Sequence, residues 1–61
     1  MNESSRDIIT WAAISARDAA TLILQQVCRP DPDLDEVQRQ AQRINRATSA
    51  ILDAVDEGRR E

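Results

Sequence analysis

Apolar residues in the second half of the chain recur at alternating steps of three and four: Leu34, Val37, Ala41, Ile44, Thr48, Ile51 and Val55. That spacing keeps one face of an α-helix apolar and predicts a heptad-like seam, with Thr48 as its one polar member. Ala47, Leu52 and Ala54 flank the seam and widen it toward the broad stripe of a bundle helix. The first half carries a similar seam of Ile9, Ala13, Ala16, Ala20, Ile23 and Val27, flanked by Ala12 and Ala19. Small residues dominate it, so a partner helix is expected to approach near the lower end of the usual separation of about 8–10 Å.

Between the two seams lies RPDPD, Arg29 to Asp33, where proline punctuates the chain, and the residue before Pro30 is pushed out of the α region. The pattern therefore predicts an all-α chain: helix one over about 5–28, a corner over 29–33 and helix two over about 34–57, forming one domain, 1–61. Ser4 or Ser5 is the expected first N-cap, with Asp7 in the first turn. For the second helix Asp33 is the favoured N-cap, with Glu36 three positions on completing a capping box; Asp31 with Pro32 at the first helical position is the rival. Gly58 is the expected stop, with Arg59 and Arg60 beside the last carbonyls and RRE frayed beyond it. Two long helices joined by so short a corner must fold back as an antiparallel hairpin.

A hairpin hides one stripe per helix, and helix one is apolar on more than one. Projection at about 100° per residue places Ile8 and Leu22 toward one edge of its seam and Trp11 and Ile14 further round. Trp11, Ile14, Leu22 and Ile8 are thus the candidate protein interface, with Leu24 a further exposed candidate. A tryptophan that buries about 200 Å² at about 25 cal/mol per Å² gains several kcal/mol, comparable with the stability of a small domain. The expectation is that another chain covers this surface. A second copy is the first candidate, giving a dimeric four-helix bundle or a higher oligomer, and a heterologous protein is the other.

Composition points the same way. A chain of 61 residues with one cysteine and no histidine cannot form an intrachain disulfide or the usual zinc site, which leaves oligomerisation as its support. Cys28, at the negative end of a helix and without an activating base, reads as a passive thiol of a reducing compartment. MNESSRD lacks the basic-then-apolar pattern of a signal peptide and no apolar run approaches about 20 residues, so a soluble cytoplasmic protein without membrane contact is expected.

Net charge is −3, with arginine as the only cation and no phenylalanine or tyrosine, which disfavours a general nucleic-acid binder. Arg39, Arg43 and Arg46 nevertheless fall at steps of four and three on one stripe, a candidate anion site for a phosphorylated ligand, a nucleotide or structured RNA. Asp35 and Glu36 stand at pairing distance from Arg39 and compete with that role. Asp31, Asp33 and Asp35 match the opening of a calcium loop, but Glu36 stands where glycine is needed and Gln42 where the bidentate glutamate belongs. The acids are read as helix-start chemistry, with no metal and no cofactor. Without histidine, lysine, tyrosine or a glycine-rich phosphate loop, no catalytic residue is assigned and no enzymatic activity is expected.

In length and two-helix layout the chain is similar to the Rop family of plasmid-encoded hairpins, which dimerise into four-helix bundles. The resemblance implies architecture alone. Its RNA binding is not carried over, because the first helix offers only Arg6, Arg17 and Arg29. The function expected is a non-enzymatic, self-associating protein that acts by protein–protein binding, as a small regulator or a phage-type inhibitor of a host system.

Overall fold

The computed structural model describes residues 2–60 and contains two α-helices, α1 (Glu3–Val27) and α2 (Leu34–Arg60), packed side by side as an antiparallel hairpin. Its Cα envelope is 49 × 13 × 11 Å, an elongated rod. Neither helix is long and apolar enough to cross a membrane.

The first helix starts earlier than the serines suggest. Asn2 is the N-cap, its Oδ1 accepting the Ser5 backbone N–H at 2.8 Å, and it satisfies one of the donors that the first turn leaves open. Ser5 is instead buried against α2. At the other end Cys28 caps in the right-handed region, its N–H donating to Leu24 O at 3.2 Å, and the Arg29 N–H donates to Gln26 O at 3.0 Å.

At the second start Asp33 is the N-cap, as its sequence position predicts. Its Oδ1 accepts the N–H groups of Asp35 at 3.1 Å and Glu36 at 3.2 Å. The reciprocal half of the capping box is not formed. The Asp33 N–H donates to Gln26 Oε1 of α1 at 3.1 Å, while Glu36 accepts from Gln40 at 2.8 Å and pairs with Arg39 at 3.2 Å. Gln26 is thus a tie across the corner that fixes where α2 begins relative to α1.

Gly58 does not stop the helix; α2 runs through Arg60, and no described glycine has positive φ. Arg60 reaches back to Asp56 at 3.4 Å and Glu57 at 3.7 Å, and cations at the negative helix end favour one more turn. Arg59 and Arg60, expected beyond the helix, are its last two residues, and Glu61 lies outside the described residues.

The contact line between the helices is rotated from the sequence seams. On α1 the buried positions are Ser5, Ala12 and Ala19, with Ile9, Ala16, Ile23 and Gln26 half-buried; Ala13, Ala20 and Val27 are exposed. On α2 Ala47 and Ala54 are buried, Val37, Ile44, Ile51 and Val55 are half-buried, and Leu34, Ala41 and Thr48 are exposed. The residues expected to flank the seams, Ala12, Ala19, Ala47 and Ala54, are therefore the contact. Close approach explains the exchange: methyl groups admit two backbones where leucine or isoleucine would hold them apart.

Most of the larger aliphatic residues consequently border one side of the rod rather than its centre; Ile8, Ile14 and Leu22 do not. Because both helices are right-handed and run antiparallel, corresponding flanks turn to the same side. Ile9, Ala13, Ala16, Ala20, Ile23 and Val27 share that side with Leu34, Val37, Ala41, Ile44, Thr48, Ile51 and Val55, and none of these carries a charge; the exposed Arg6, seven residues before Ala13, stands at the end of the same row, so the side is uncharged from Ile9 to the corner. The Thr48 hydroxyl donates to Ile44 O at 2.9 Å, so the one polar member of the α2 rows already has a partner in its own helix. Leu34 is 74% and Val27 58% exposed there.

Candidate interaction surface

The opposite side holds the candidate site. Counting outward from the Ser15–Arg43 contact, the antiparallel register sets Trp11 level with Ala47, and Ile8 level with Ala50. Because Ala47 and Ala50 are small, a groove opens between the helices, about 620 Å³, with Ile8, Trp11 and Ser15 on one wall and Arg43, Arg46 and Ala50 on the other. Asp7 also lines it. A second hollow of about 260 Å³ continues it past Ile8 and Ala50 toward Ser5, Asp53 and Glu57.

Trp11 is 71% exposed, an indole standing on one wall with little over it, and Ile8 is 47% exposed. Among the described residues the buried apolar ones are four alanines, so these larger side chains lie outside the hairpin's own core.

Arg43 is not a free cation. Its Nε donates to Ser15 Oγ of α1 at 3.0 Å and its Nη1 to Gln40 Oε1 at 3.4 Å, so the half-buried side chain bridges the two helices. Arg39 pairs with Glu36, which leaves Asp35 aside. Arg46 is exposed and has no carboxylate at ion-pair distance among the described residues. The three arginines thus occupy one stripe but three environments, and only Arg46 is uncommitted.

The fold brings Ile8 and Trp11 together with Arg43 and Arg46. Ile14 and Leu22, both half-buried, lie outside the groove lining: Ile14 projects further round α1, and Leu22 lies nearer the corner. Arg39 and the exposed Leu24 lie outside it too. Ser15, Ala50, Asp53 and Glu57 were not singled out from the sequence. Ser15 stands seven residues from both Ile8 and Leu22, so heptad spacing alone could have placed it on their stripe.

Among the described residues no group of three or more potential ligands could hold a metal ion. Asp33 works as a helix-start group, and Cys28 is exposed and unpaired with any other cysteine. No protein-family model, curated protein or solved structure matches this chain.

Proposed function

We propose that the chain is a non-enzymatic helical hairpin that associates with itself and acts by binding protein, as a small regulator or inhibitor does. One observation carries this reading: both helices turn most of their larger aliphatic residues to a single side, uncharged from Ile9 to the corner, where Leu34, Val27, Ala41 and Ala20 remain exposed. A second hairpin laid on that side encloses the aliphatic rows between four helices, the arrangement of an antiparallel bundle dimer.

The groove with Trp11 lies on the other side and remains open in such a dimer, available to a partner protein. Tryptophan beside arginine is the composition in which binding energy concentrates at protein interfaces. A phosphate-binding reading draws less support, since Arg39 and Arg43 already have partners and Asp7 lines the groove.

Mutation of an exposed residue on the uncharged side tests the reading. Ala41→Arg leaves the hairpin's own contacts in place and places charge in the proposed dimer interface. It is expected to turn a helical dimer into a helical monomer; an unchanged oligomer mass would remove the uncharged side as the interface.

A further inference from the structure

The groove side of α2 carries basic residues before Ala50 and acidic residues after it, at distances that match to within one residue. Arg43 lies seven residues before Ala50 and Glu57 seven after; Arg46 lies four before and Asp53 three after. All five occupy one stripe, and all five line the groove or its continuation. A two-fold axis through Ala50 therefore brings basic residues of one α2 level with acidic residues of another lying antiparallel on it.

We propose that the Trp11 groove is a second, salt-sensitive contact between copies of this chain, in which two α2 helices cross antiparallel at Ala50. Arg46 then pairs with the partner's Asp53, and Arg43 with the partner's Glu57, each pair occurring twice. The same axis sets Ile8 against the partner's Ile8, because the hairpin register places Ile8 level with Ala50. It also carries Trp11 over the partner's first turn of α1, where Ser4 and Ser5 leave room for an indole.

Three features favour a second copy over another occupant. Arg46 and Asp53 are both exposed and neither has an ion pair among the described residues, so both are available. Ala50, at the crossing point, is small enough for two helix backbones to approach. Finally, an isologous contact requires a self-complementary surface, and this stripe is one. The Arg43–Glu57 pairs are secondary, since Arg43 also holds Ser15 and Glu57 lies 3.7 Å from Arg60.

Exposed ion pairs are weak and screened by salt, so the contact joins bundle dimers reversibly. It covers Trp11 until a partner protein takes the groove, and self-contact and partner binding compete. The inference rests on the proposed function only in treating the uncharged side as the first interface.

Charge exchange tests it. Arg46→Glu and Asp53→Arg, each made at an exposed position, are compared alone and mixed by sedimentation velocity and by Trp11 emission. Wild-type protein is expected to form species larger than its high-salt form at about 50 mM salt, with blue-shifted emission, and to lose about tenfold or more in that association by about 500 mM. Each variant alone is expected to lack the larger species, and an equimolar mixture to regain them, since each chain then supplies the sign the other lost. Absence of a salt-dependent step in the wild type, or a mixture that assembles no better than its components, overturns the proposal and leaves the groove to a different protein. Failure of the proposed function has another signature: a wild-type monomer at high salt. The mixing result is still readable then, in the Ala41→Arg background, as a monomer–dimer step at low salt.

Discussion

Arg43 Nε and Ser15 Oγ, 28 positions apart in sequence, meet at 3.0 Å and fix the register of the two helices near the middle of the hairpin. The bond is part-buried, and Gln40 takes a second hydrogen of the same guanidinium. A hydrogen bond to a charged group contributes about 1.5–3 kcal/mol, and partial exposure places this one toward the lower end. Ser15→Ala is expected to lower stability by about that amount in chemical or thermal denaturation while leaving helix content unchanged, and to be additive with changes at the distant Asp33.

The contact line predicts a contrast between neighbouring alanines. Ala19 is fully buried and Ala20 exposed. Ala19→Leu forces the helices apart and is expected to cost about 1–3 kcal/mol, read as a lower melting temperature. Ala20→Leu leaves the hairpin contact alone and is expected to change the mass of the assembly, not the fold of the hairpin.

Asp33 supplies the side-chain cap for two N–H groups of α2. Asp33→Ala is expected to destabilise by about 0.5–2 kcal/mol, with Asp33→Asn retaining most of that. Glu36→Gln is expected to lose no more than about 1 kcal/mol, because the half-buried Glu36 pairs with a largely exposed Arg39 rather than forming a capping box. Amide exchange of the α2 first turn separates the two outcomes.

Gly58 sits inside α2 with negative φ. Gly58→Ala should therefore stabilise the chain by about 0.4–1 kcal/mol, mostly by restricting the unfolded ensemble. A glycine acting as a left-handed cap would instead make the same change destabilising, so a thermal melt distinguishes the two roles.

These contrasts mark how far the sequence could be read. Helix existence, the corner at Pro30 and the Asp33 cap follow from local chemistry, and each is found in the structure. Which stripe touches which does not follow, because Ile9, Ala16 and Ile23 belong equally to a heptad row through Ala13 and Ala20 or to one through Ala12 and Ala19. Alanine lies in both rows, and only the distance between two backbones decides. Hydrophobicity favours the row with Val27; close packing favours the row with Ser5 and Gln26, and close packing prevails. For the same reason Trp11 could be placed off the contact line, while its neighbours across the groove, Arg46 and Ala50, depend on a register that Ser15, Arg43 and Gln26 set.

The missing glycine stop has a similar cause. Gly58 is permissive rather than prohibitive, and the ion pairs of Arg60 with Asp56 and Glu57 draw the helix past it. At the other end Asn2 takes the first cap by accepting the N–H of Ser5, whose own side chain is buried in the contact line.

The central claim is that the uncharged side of the hairpin closes on a second copy. Sedimentation equilibrium of the wild type and of Ala41→Arg, at micromolar concentration and about 500 mM salt, tests it most directly. The account predicts a dimer for the wild type and a monomer of equal helicity for Ala41→Arg. A wild-type chain that sediments as a folded monomer, with a mass that Ala41→Arg does not alter, would contradict it.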